Sequence, residues 1–138
     1  MNKYTFDEIE VGMQAEFVAK VKPEDMDNFC HITGDTNPLH CDKEYALRKG
    51  FEDRIVYGML SASYLSTLAG IYLPGKESLI QSVEISFIRP IGINELLTIK
   101  GKVTEKNELF KIVKIKFWIL NSKKEKVVRG KMQVGVLR

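Results

Sequence analysis

The chain has 138 residues, 44% of them apolar and 28% charged, with a net charge of +3. That length supports one sizeable core and a single domain over residues 1–138, and the composition is that of a globular protein. The charge is too small to point to nucleic acid, and no apolar run approaches the length of a membrane span.

The start, MNKYTFDEIE, carries acids early and no apolar stretch of the secretory kind, so a cytoplasmic protein is expected. A strand is predicted from Gln14 to Val21. Pro23 then opens a helix, with Glu24 and Asp25 complementing its positive start and Gly34 ending it. Asp42 is a good N-cap for KEYALRK, and Gly50 suits its end. FEDRIVYG reads as a loop.

GMLSASYLSTLAGIYL, from Gly58 to Leu73, has no charged residue, and its apolar and small side chains cover nearly the whole helical circumference. Such a helix is expected to be buried. Four alternating segments follow. Val83, Ile85 and Phe87 share one face, as do Leu97, Ile99 and Val103, then Val113, Ile115, Phe117 and Ile119, then Val128, Met132, Val134 and Val136. Period two with one wet face is the antiparallel pattern. The expected fold class is α+β, an antiparallel sheet wrapped around the apolar helix.

TGDTNPLHCD, residues 33–42, holds Asp35 and His40 on either side of Asn37-Pro38. Read plainly, Gly, Asp, Asn and Pro are common loop formers. The chemical alternative is that the stiff Asn-Pro step limits how an acid and an imidazole can be arranged. A water held between such a pair is the apparatus for adding or removing water across an activated double bond. Gly58 begins the apolar helix, whose free N–H groups could receive an oxygen that becomes negative in the reaction, or it is simply a turn residue. Cys30 and Cys41 have no CxxC spacing and read as free thiols rather than a disulfide.

FCHITGDTNPLHCDKEYA, followed by FEDRIVYGMLSASYLSTLAG and by SVEISFIRPI, strongly resembles the MaoC-like hydratases, the (R)-specific enoyl-CoA hydratase family. The resemblance covers about residues 8 to 136. It implies a hot-dog fold and reversible hydration of a trans-2-enoyl thioester to the (R)-3-hydroxyacyl thioester. It implies no metal or redox cofactor. The partner is the acyl-CoA or acyl carrier protein thioester itself. A homodimer or an assembly of dimers is expected, with no nucleic acid and no membrane.

Carried over by position, Asp35 and His40 match the catalytic pair, and Asn37 matches the motif asparagine, counted with the substrate-binding residues, which would hold the turn or hydrogen-bond nearby. Gly58 matches the residue whose N–H faces the thioester carbonyl, and Ser66 a substrate-binding helix serine near the pair, or else a helix-face serine bonded to its own backbone. The family often has histidine where this chain has Tyr57, which would shape the entrance by bulk or take part in substrate binding. Tyr64, Leu65 and Tyr72 are candidates for narrowing the acyl pocket. A hot-dog thioesterase and a non-catalytic acyl-CoA-binding subunit are the alternatives. The first is disfavoured because the helix carries no acid, the second because the acid–Asn–His set is complete.

Overall fold

A computed structural model describes residues 1–137. Five strands form one antiparallel sheet in the order β1-β3-β4-β5-β2. They are β1 Gln14–Lys20, β2 Ser78–Phe87, β3 Leu96–Asn107, β4 Ile112–Leu120 and β5 Lys126–Val136. The alternation expected of β3, β4 and β5 is realised. Ile99, Val103, Val113, Ile115, Phe117, Ile119, Val128 and Val134 are fully buried on the concave face.

The apolar segment lies against that face as α4, Gly58–Thr67, continued by a π-helical turn at Leu68–Tyr72. Leu65, Leu68 and Ala69 fill the core. Contact is close enough that a Cβ on Gly101 of β3 would come 2.8 Å from a Leu68 methyl, so a side chain there would force Leu68 to move. This is the hot-dog arrangement, and it bears out the α+β expectation.

Three expectations are corrected. The single helix from 58 to 73 changes pitch at Leu68, where the Leu73 N–H reaches the Leu68 carbonyl five residues back at 2.8 Å. The helix is also not enclosed on all sides, because Met59, Ser63 and Ser66 are exposed. Finally, Val83 and Phe87 of β2 are not core residues, being 41% and 47% exposed. β2 is an edge strand with a neighbour on one side only, so its apolar residues stay partly open even though α4 packs beside Phe87 at Gly58.

Three short helices overhang one end of α4: α1 Pro23–Thr33, α2 Pro38–Cys41 and α3 Lys43–Arg48. The predicted stops hold. Gly34 caps α1 at φ 75°, in the left-handed region that favours glycine. Asp42 caps α3, its side chain accepting from the Tyr45 N–H at 3.3 Å. Among the described residues no helix is long and apolar enough to cross a bilayer.

Candidate active site

The segment carrying Asp35 and His40 is more ordered than a loop. Asn37 is the N-cap of α2: its side-chain oxygen accepts from the Leu39 N–H at 3.0 Å, and Pro38 takes the first helical position. One carboxylate oxygen of Asp35 accepts from the Asn37 N–H at 3.0 Å, and the Asp35 N–H donates to Thr33 Oγ1 at 3.2 Å. Asn37 therefore works as a backbone brace between the acid and the histidine.

His40 is fixed by the extended strap that precedes α4. Ile55 donates its N–H to the Leu39 carbonyl at 3.1 Å, and its own carbonyl lies 2.7 Å from His40 Nδ1. A carbonyl can only accept, so Nδ1 carries a proton and, in the neutral ring, Nε2 is left as the acceptor. The strap is held in turn by Val56 N–H to the Ile91 carbonyl at 2.9 Å and by Arg54 against Asp27 at 3.3 Å.

Tyr57 is turned inward, only 2% exposed. Its ring lies between the His40 imidazole, with centroids 4.2 Å apart, and Phe29, at 4.7 Å. Its hydroxyl donates to the Asp35 backbone carbonyl at 2.6 Å and lies 3.3 Å from Cys41 Sγ. Burial, followed by the hydrogen bonding of Cys41, pushes the phenol far above its ordinary range, so Tyr57 is a neutral donor. One residue thus touches both members of the acid–histidine pair, stacking on one and holding the backbone of the other.

Two adjoining hollows open here. One, about 330 Å³, is lined by Phe29, Asp35, His40, Tyr57, Gly58 and Phe87 among others. The second, about 220 Å³, is lined by His40, Gly58, Ser61, Phe87, Ile88 and Ile91 among others. His40, Gly58 and Phe87 border both. The first acceptor of α4 is the Tyr57 carbonyl, which takes the N–H groups of Leu60 and Ser61 at 3.1 Å, so the amides of Gly58 and Met59 stand ahead of the ladder.

The structure therefore gathers Asp35, His40, Tyr57 and Gly58 around one space, with Asn37 behind it. Ser66 lies further along α4, exposed, and lines neither hollow. Tyr64, Leu65 and Tyr72 line neither hollow, contrary to expectation. Tyr64 and Tyr72 pack on Phe17 and Leu65 joins the core; the apolar side chains bordering the smaller hollow include Phe87, Ile88 and Ile91. Sequence reasoning missed Ile55, which acts through its carbonyl. It also missed Ser61, a buried hydroxyl donating to the Gly58 carbonyl at 2.6 Å.

Fold and site together define a hot-dog domain with an acid, a tautomer-fixed histidine and an open helix start around one cleft. Residues 6–122 match the family model described as MaoC like domain, and the chain belongs to that family. It is 36% identical over 100 residues to the (R)-specific enoyl-CoA hydratase of Aeromonas caviae, a match covering 72% of this chain and 75% of that one. A 3-hydroxybutyryl-CoA dehydratase of Methylorubrum extorquens is 32% identical over 100 residues, 72% of this chain and 64% of that protein. The matched stretch thus spans just under two thirds of the Methylorubrum relative. Among solved structures, the R-hydratase PhaJ1 from Pseudomonas aeruginosa superposes with a TM-score of 0.91 at 30% identity, covering 96% of this chain and 84% of that one. The Aeromonas caviae (R)-hydratase gives 0.89 at 32% identity, covering 93% and 97%. The named relatives are hydratases and dehydratases, which are hydro-lyases.

Proposed function

We propose that this chain is an enoyl-thioester hydratase, adding water to a trans-2-enoyl-CoA to give the (R)-3-hydroxyacyl-CoA, and catalysing the reverse dehydration. The observation that carries the reading is the single cleft bordered by Asp35, by the His40 ring and by the start of α4 at Gly58. The named hydratase relatives supply the substrate class.

In this reading the acyl chain enters the apolar hollow beside Ile88 and Ile91, with the thioester carbonyl at the amides that begin α4. Water stands between Asp35 and His40 Nε2. As its oxygen bonds to C3, the water gives a proton to the pair, and the double-bond electrons move toward the thioester. The carbonyl oxygen becomes enolate-like, and the positive helix start stabilises that charge. The pair then returns one proton to C2, so one water is added across the double bond. Asp35 and His40 share their protons as a unit.

The hollow is small, about 220 Å³, and is bordered by Phe87, Ile88 and Ile91, which favours a short acyl chain. A second copy of the chain is the partner that this reading gives to the uncovered edge. Met59, Val83, Phe87 and Ile88 form an exposed apolar surface there, 41% to 63% exposed, and Phe87 also borders both hollows.

The test is to add the protein to crotonyl-CoA and follow the enoyl-thioester absorbance. Its loss, with 3-hydroxybutyryl-CoA as product, is expected. Release of free thiol without hydration would instead make the protein a thioesterase. Saturable acyl-CoA binding with no turnover would make it a binding subunit.

A further inference from the structure

Beneath the cleft, the two cysteines meet. Cys30 Sγ in the last turns of α1 and Cys41 Sγ at the end of α2 are 3.9 Å apart, and both are free thiols. Cys30 is half-buried and Cys41 is exposed. The chain between them carries Asp35, Asn37 and His40. Cys41 Sγ also lies 3.8 Å from the Asp35 carbonyl and 3.3 Å from the Tyr57 hydroxyl. These are the two atoms whose hydrogen bond fixes the Asp35 backbone.

A disulfide needs sulfurs about 2.05 Å apart, so the pair must close by roughly 1.9 Å. Rotation of the exposed Cys41 side chain contributes to that closure at little packing cost. The closure moves a sulfur that touches the Tyr57 hydroxyl and lies near the Asp35 carbonyl, and it ties α2, directly beside His40, to α1.

We propose that Cys30 and Cys41 are a redox-modification site, in which a hydroperoxide converts the dithiol to a disulfide that displaces the Asp35–His40 segment and lowers turnover. The loss of turnover rests on the hydratase reading given above; the disulfide does not. With hydrogen peroxide, the exposed Cys41 thiol takes one peroxide oxygen to become the sulfenic acid, and the other oxygen leaves as water. The Cys30 thiol then attacks the Cys41 sulfur; the S–O bond breaks, the S–S bond forms and a second water departs. Two thiols and one peroxide give one disulfide and two waters.

The experiment treats the reduced, purified full chain with hydrogen peroxide. Peptide mass mapping, amide hydrogen exchange over residues 35–40 and crotonyl-CoA hydration are then measured, before and after dithiothreitol. The expected result is an intramolecular Cys30–Cys41 cross-link, altered exchange in that segment and a fall in kcat of about ten-fold or more, because small displacements of catalytic groups are costly. Dithiothreitol reverses all three. Cys30→Ser forms no cross-link, keeps its basal turnover and shows no peroxide-induced exchange change. Thiols that both remain alkylatable after peroxide, cross-links only between chains, or a cross-link that leaves exchange and hydration unchanged would each overturn the proposal. A protein that hydrates no enoyl-CoA would sink the hydratase reading instead, while the cross-link and the exchange pattern still decide this one.

Discussion

Replacing Tyr57 by Phe removes one hydroxyl and keeps the ring that stacks on His40 and Phe29. The hydroxyl's bond to the Asp35 carbonyl is short, 2.6 Å, but Asp35 is exposed, so water can take over its acceptor. The loss therefore sits in the ordinary range for one neutral hydrogen bond, about 1 kcal/mol. If that bond keeps Asp35 aligned, about 1 to 1.4 kcal/mol corresponds to roughly a five- to ten-fold smaller aligned population. The expected result is a kcat lower by that factor, with KM for crotonyl-CoA unchanged. Steady-state kinetics on enoyl absorbance read both parameters, and circular dichroism checks the fold. A wild-type kcat would refute the positioning role. A raised KM with kcat intact would mean that the hydroxyl binds substrate, the other role open to this position.

The same residue predicts an alkaline limit. The Tyr57 phenol is held above its ordinary 10.0, mainly by burial, so the unfolded chain releases this proton at lower pH than the folded one. Its contribution to stability is full below pH 10.0 and falls as pH rises above it. Thermal midpoints between neutral pH and pH 11 should therefore fall less steeply in Tyr57→Phe than in the wild type; parallel curves would contradict this. Gly101→Ala should cost about 1–3 kcal/mol in urea titrations by overpacking, since its Cβ would meet Leu68 at 2.8 Å and Ile115 at 3.3 Å. Unchanged stability there would mean that the Leu68 side chain moves aside without loss of packing.

Much of the fold is legible in the sequence because local rules govern it. Gly34 and Asp42 ending and starting helices, and the alternation of β3 to β5, follow from backbone chemistry within a few residues, whereas the short helix α2 capped by Asn37 lies in a stretch whose composition reads as loop. The placement of Asp35 with His40 is legible through the motif. What stays hidden depends on distant partners. The hold on His40 runs through a main-chain carbonyl at Ile55, and any residue type has one. The inward turn of Tyr57 depends on Phe29 and the Asp35 carbonyl, far away in the chain. Alternation in β2 marks an apolar face correctly but cannot say that the strand lies at the sheet edge, with a neighbour on one side only. The expectation that Tyr64, Leu65 and Tyr72 narrow the pocket fails for a related reason. A uniformly apolar helix gives no sign of which side faces the sheet and which the cleft.

The central claim is that Asp35 and His40 act as one unit on one water. A double-mutant cycle tests it most directly, with crotonyl-CoA hydration measured for Asp35→Ala, His40→Ala and the pair together. Groups that act together lose their effect together, so each single change should cost about 3 to 6 kcal/mol of barrier and the double change little more. Losses that simply add would show two independent roles, and wild-type turnover in either single variant would contradict the assignment of the site.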